Sequence, residues 1–180
     1  MREIEVKARI RNQKELLLKI KELGIIFGPS TFQDDCTYET SMSKEDPNWN
    51  IFRIRKQGDK TILTMKYKAS SRSHDNHERE SVIDNADEIA DMLERVGYKE
   101  GVRVKKTRQT AKYKDLEICI DKIDRLGSFI EVEKLADDNA DVDEIQSNLW
   151  ELLNQLGVDS SERVHKGYDI LMHELLSSEK

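Results

Sequence analysis

The chain has 180 residues and a mass of 21.0 kDa, enough for one domain with a core of its own. Thirty-six acids against 30 bases give a net charge of −6, and no basic run stands clear of acids, which argues against a general nucleic-acid binder. No apolar stretch is long enough to span a bilayer, no signal-peptide pattern opens the chain, and Cys36 and Cys119 lack metal-ligand spacing, so a cytoplasmic protein with two reduced thiols is expected.

Charged residues make up 37% of the chain and aromatic ones only 6%, a composition that leans towards disorder unless regular periodicity gives the charge a place in a fold. The first ten residues supply that periodicity. Glu3, Glu5, Lys7 and Arg9 alternate with Ile4, Val6, Ala8 and Ile10, the period of a β-strand. Asn12 to Leu23 then reads as a helix, with Leu16, Leu17, Ile20 and Leu23 on one face. It stops at Gly24-Ile25. Two later apolar-periodic segments stop the same way, at Gly97-Tyr98 and Gly157-Val158, which marks three helix ends of the Schellman type. Asn85 with Glu88 three positions on is a capping box for the second helix.

Phe32–Thr40 is expected to be a strand, followed from Ser41 by a polar interruption containing Pro47. Ile51–Lys56 and Thr61–Lys68 form a hairpin across Gly58-Asp59. Arg53 and Arg55 share one face of it, and Thr64, Lys66 and Lys68 share one face of its second strand. Lys68–Asn76 has no period and is expected to be a loop. The scheme then restarts with Glu78-Arg79-Glu80, a helix ending at Gly97, and Val102–Tyr113 carrying Lys106 and Arg108. Lys114–Asp124 sets Glu117 and Asp121 against Leu116, Ile118 and Ile120, and Phe129–Glu133 puts Glu131 and Glu133 on one face. An acidic strand, a helix ending in glycine and strands with paired charges occur twice, which suggests a loose internal duplication. A last amphipathic helix spans Tyr168 to Leu176.

One alternating charged strand is what any solvated sheet face shows. Six strands carrying like charges at i and i+2 are different, because such charges repel unless a counter-ligand is present. The pattern therefore suggests an α+β fold over residues 1–180: a barrel with charges inside, apolar side chains outside, and helices covering it. The expected inner acids are Glu3, Glu5, Glu78, Glu80, Asp121, Glu131 and Glu133. The expected inner bases are Lys7, Arg9, Arg53, Arg55, Lys66, Lys106 and Arg108. Oxygen-only acids suit Mg²⁺ or Mn²⁺, and paired Arg and Lys suit phosphate oxygens. The four histidines, His74, His77, His165 and His173, are given surface roles.

These residues resemble a known family. Glu3-Ile4-Glu5-Val6-Lys7 is similar to the N-terminal ExExK signature of the CYTH superfamily, the triphosphate tunnel metalloenzymes. Arg53-Ile54-Arg55, Lys66, Glu78-Arg79-Glu80, Lys106-Thr107-Arg108, Asp121 and Leu126–Glu133 follow in that family's order over essentially the whole chain. The length and the C-terminal motif are most similar to the class IV adenylyl cyclase branch. The resemblance implies an eight-stranded antiparallel closed β-barrel forming a triphosphate tunnel, and metal binding by Glu3, Glu5 and Glu133 with Glu131 and Asp121. It implies that Lys7, Arg53, Arg55, Lys66, Lys106 and Arg108 hold a triphosphate, with Lys7, Arg55 and Lys106 expected to take part in catalysis. ATP, tripolyphosphate and thiamine triphosphate are the implied ligands, and dimeric members of the family make a homodimer an expectation. Three activities are open at this point: a cyclase making cyclic AMP and pyrophosphate, a triphosphatase, and a non-catalytic polyphosphate or nucleotide sensor. The complete acid set counts against the sensor, since a mere binder could manage with bases alone.

Overall fold

The structure, a computed structural model, describes residues 2–40 and 50–179, so the polar segment from Ser41 through Pro47 lies outside the described residues. The elements run β1 (Arg2–Arg9), α1 (Gln13–Glu22), β2 (Thr31–Glu39), β3 (Asn50–Gln57), β4 (Lys60–Lys68), β5 (Asp75–Ile83), α2 (Ala86–Arg95), β6 (Lys99–Tyr113), β7 (Leu116–Ile123), β8 (Gly127–Ala136), α3 (Val142–Gln155) and α4 (Tyr168–Ser178). The eight strands close a barrel in the order β1-β5-β4-β3-β2-β6-β7-β8, every pair antiparallel.

That order carries the duplication. Exchanging β1 with β5, β2 with β6, β3 with β7 and β4 with β8 returns the same ring of neighbours read in the opposite direction. The two halves are therefore related by a topological twofold, with α1 following β1 as α2 follows β5.

The apolar core sits outside the barrel. Ile4, Val6 and Ala8 of β1 join Ile118, Ile130 and Val132 under Leu16 and Ile20 of α1 and Leu149, Leu152 and Leu153 of α3. Leu93 of α2 packs with Cys36, Tyr38 and Ile54 on the outer side as well. The exception to this outer core is at α4, where Tyr168 and Met172 pack with Val104, Ile123 and Phe129 beside the cavity that Val104 and Tyr168 line. Each large aliphatic chain so buried contributes about 1.5–3 kcal/mol. This outer burial offsets the cost of turning charged faces inward.

The three expected helix ends are present. Gly24, Gly97 and Gly157 take positive φ, and the amides of Ile25, Tyr98 and Val158 reach back to the carbonyls of Ile20, Leu93 and Leu153. Asn85 accepts the Glu88 amide at 3.1 Å, as Asn12 accepts that of Glu15 at 3.2 Å.

Two boundaries differ from the sequence reading. The Lys68–Asn76 loop is shorter than expected, because β4 runs to Lys68 and β5 already begins at Asp75. The two strands pair through Lys68 and Asn76, backbone partners that Ser, His and Asn side chains do not advertise. β6 begins at Lys99 instead of Val102, since a bulge between Cys36 and Tyr38 lets β2 follow it that far.

β1 meets β5 over only three residue pairs. That short seam is fastened from outside: the Arg2 guanidinium donates to both oxygens of fully buried Asp75 at 2.6 and 2.7 Å, and to the Asp138 carbonyl at 2.8 Å.

Candidate active site inside the barrel

The barrel encloses a cavity of about 630 Å³ whose walls are the inner faces of all eight strands. Register sets the chemistry of each wall. On β1 and β8 Glu5 stands opposite Glu133, and Lys7 opposite Glu131. On β4 and β5 Lys66 stands opposite Glu78, and Thr64 opposite Glu80. On β6 and β7 Arg108 stands opposite Asp121.

Carboxylate oxygens of Glu3, Glu5 and Glu133 all lie within 4.8 Å of one another. Burial, only partly countered by Lys66, pushes the Glu3 carboxyl up to about 7. Burial and the neighbouring charges of Glu3, Glu5 and Glu131 push Glu133 up to about 9. Carboxyls crowded until their pKa values rise are the arrangement that a divalent cation relieves, and an all-oxygen donor set fits Mg²⁺ or Mn²⁺. These three residues would hold it.

The other walls are basic, and their bases are paired. Lys7 Nζ lies 2.9 Å from Glu131 and 3.1 Å from Glu5. Burial alone would lower its pKa, but those two carboxylates outweigh it and leave the ammonium above its usual value. Arg108 donates to both oxygens of Asp121 and also to Glu131. Burial would raise Glu131, yet Lys7, Arg108 and Lys106 together hold it well below the usual carboxylate range. Lys106 lies 3.3 Å from Asp121. Its burial and the nearby Arg108 charge bring it down to about 8, making it the softest cation of the set.

Across the cavity, Arg55 grips Asp35 at 2.7 and 2.8 Å. Arg55 and Arg53 overcome the effect of burial and hold Asp35 at about 2. Lys66 lies 2.6 Å from Glu78 and 4.0 Å from Glu3. Arg53 reaches Glu78 at 3.5 Å, Glu80 at 3.3 Å and the Thr64 hydroxyl at 3.2 Å.

The cavity is lined by the residues named from sequence as phosphate or metal contacts except Asp121, which is fully buried behind Lys106 and Arg108. Glu3, Glu5 and Glu133 form the acid cluster. Asp121 and Glu131 stand apart from it, each bonded to lysine or arginine, and so do Glu78 and Glu80.

Two expectations are corrected. Arg9 is not an inner base: at the exposed end of β1 it donates to the Leu126 carbonyl at 2.9 Å and lies over the Phe129 ring. His74 is not on the surface: its Nε2 is 2.9 Å from the Val164 carbonyl and its Nδ1 is 3.4 Å from Glu5.

Asp35, Glu117 and Tyr168 also line the cavity without being among the inner residues expected from sequence. Asp35 was hidden by its neighbour Asp34, which blurs the alternation. Glu117 shares the inner face with Asp121 at i and i+4, a signal that was present in the strand pattern. Tyr168 was read as part of an apolar helix stripe, with nothing to mark its place over the cavity.

Comparison with known proteins agrees with this architecture. The CYTH domain profile matches residues 1–168. A Methanocaldococcus jannaschii protein named "Putative adenylate cyclase MJ0240" is 27% identical over 169 residues, covering 93% of this chain and 97% of that one. "Adenylate cyclase CyaB" of Aeromonas hydrophila is 28% identical over 100 residues, about half of each chain at 54% and 52%. The solved PH1819 protein of Pyrococcus horikoshii superposes with a TM-score of 0.79 at 28% identity, covering 98% of this chain and 99% of that one.

Proposed function

The chain belongs to the CYTH domain family, and on that footing we propose that it is a metal-dependent enzyme that converts ATP to 3′,5′-cyclic AMP and pyrophosphate. The observation that carries this reading is the facing of two opposite charge sets across one cavity. Glu3, Glu5 and Glu133 cluster without enough bases to neutralise them, while lysines and arginines line the other walls. A divalent cation on the first set and a triphosphate on the second would neutralise the interior. The names of the two cyclase relatives support the choice of reaction.

In this reading Arg53, Arg55, Lys66 and Arg108 exchange part of their carboxylate bonding for phosphate oxygens, and the arginine forks fix the chain's orientation. The 3′-hydroxyl attacks the α-phosphorus and gives up its proton to solvent or to the leaving group, the bond to the bridging oxygen breaks, and pyrophosphate leaves. Lys7, Arg55 and Lys106 stabilise the charge that develops on the departing oxygens. Glu3, Glu5 and Glu133 would hold a Mg²⁺ or Mn²⁺ ion, which would supply further charge neutralisation and lower the pKa of the attacking hydroxyl. Ile51, Leu135 and Tyr67, which also line the cavity, offer apolar contact to a nucleoside. No helix among the described residues is long and apolar enough to cross a bilayer, and we place the activity in the cytoplasm.

A triphosphatase is the second reading. The charged groups of the cavity are complementary to phosphate or cation alone, so a chain without a sugar meets the same contacts, with water in place of the 3′-hydroxyl. Product analysis with Mg²⁺ or Mn²⁺ separates the two. We expect cyclic AMP and pyrophosphate from ATP. Faster turnover of tripolyphosphate, with ADP and phosphate from ATP, would replace the cyclase by the hydrolase.

A further inference from the structure

The first turn of α4 reaches into the cavity: Gly167, Tyr168, Asp169 and Ile170 are part of its lining. Tyr168 packs edge-on against Phe129 with ring centroids 5.1 Å apart. Lys7 Nζ lies 4.1 Å from the Tyr168 ring centroid and Lys106 Nζ lies 5.0 Å from it, so one ring sits against two of the cavity's cations. The residue is 9% exposed, and its hydroxyl is buried without a hydrogen-bond partner among the described residues.

Phenylalanine would make the same ring contacts without stranding a buried hydroxyl, which is costly when unmade. The ring explains an aromatic residue here; the oxygen needs a separate reason. Of the charges acting on it, Glu131, Arg108 and Glu5 stand on cavity walls and Asp121 is buried behind them. Asp169, in the same helical turn, brings a carboxylate to the helix end, so the hydroxyl and not the helix terminus is the feature suited to an anion.

We propose that the Tyr168 hydroxyl donates a hydrogen bond to a phosphate oxygen held between Lys7 and Lys106, making α4 a direct ligand-binding element of the tunnel. This rests on the triphosphate reading given above. The hydroxyl gains the acceptor that the fold does not give it, and the two ammonium groups hold that acceptor close to the ring.

Tyr168→Phe tests this, because it removes one oxygen and keeps the ring. Tripolyphosphate binding would be followed by calorimetry in EDTA, beside the wild type and Lys66→Gln. The dissociation constant should rise about tenfold or more in Tyr168→Phe, the effect of losing one hydrogen bond to a charged group. The melting temperature of the unliganded variant should equal or exceed that of the wild type. Unchanged affinity in Tyr168→Phe, with weaker binding in Lys66→Gln, would overturn the role of Tyr168 and leave the tunnel reading standing. Weaker binding accompanied by a lower unliganded melting temperature would also overturn it, since the hydroxyl would then be serving the fold. A wild-type protein that binds no tripolyphosphate either in EDTA or with Mg²⁺ would remove both.

Discussion

Glu5 and Glu133 are register partners on β1 and β8, so two carboxylates meet where a sheet ordinarily sets opposite charges or apolar pairs. One step along the same two strands, Lys7 faces Glu131 and the ordinary pairing returns. The like-charge pair is thus local, and Glu3 closes it into the cluster.

The first prediction follows from that crowding. Glu133 sits at about 9 and Glu3 at about 7, both above the ordinary carboxylate value of 4.5. Between the ordinary and the raised values the folded chain holds protons that the unfolded chain has released, so stability falls as pH rises through this window. In EDTA the melting temperature should therefore drop from pH 5.5 to pH 9, and saturating Mg²⁺ or Mn²⁺ should restore it at the alkaline end. Glu133→Gln should flatten the metal-free alkaline loss and weaken the cation's effect about tenfold or more in concentration. Asp35 and Glu78, held near 2, act in the opposite sense: their contribution is present above about pH 4 and is lost below it. An EDTA melting curve that stays level from pH 5.5 to 9 would contradict the crowded-acid account.

Arg55 and Asp35 give the second. Their side chains are largely buried and joined by two hydrogen bonds. Arg55→Ala strands a buried carboxylate and should destabilise the protein by about 3 kcal/mol or more in urea titration. Asp35→Ala in the same chain should recover much of that loss, because both partners are then gone. A double variant no more stable than Arg55→Ala would show that the pair is not the source.

Lys106 gives the third. With its pKa near 8 it loses charge across pH 7 to 9, whereas arginine at the same position would not. Relative to Lys106→Arg, the wild type should lose metal-free affinity for tripolyphosphate across that range, by a factor of several. Binding curves that run parallel for the two proteins would place the Lys106 titration elsewhere.

The fold was legible where alternation is unbroken. β1, β3 and β8 each place like charges at i and i+2 against aliphatic residues, and Gly24, Gly97 and Gly157 each mark a helix end by conformation alone. The site was legible for the same reason, since an inner face repeats with period two. Legibility fails where position depends on distant parts of the chain. Arg9 keeps the alternation of Glu3, Glu5 and Lys7 but stands at the strand's end, where the Leu126 carbonyl takes it. His74 sits in a turn whose burial comes from the segment around Val164, 90 residues later. Tyr168 sits at the start of a helix whose placement against β6 no local pattern records.

The twofold in the strand order has a last consequence. A passage made of two like halves offers a linear molecule two equivalent ways in, head first or tail first. The exchanged strands β1 and β5 are both acidic, with Glu3 and Glu5 on one and Glu78 and Glu80 on the other, but β3 contributes Arg53 and Arg55 while its counterpart β7 contributes Glu117 and Asp121. The strand pair β4 and β8 differs in the same way, with Lys66 on one and Glu131 and Glu133 on the other. The backbone is cut the same from both directions, and only the side chains tell one end of the passage from the other.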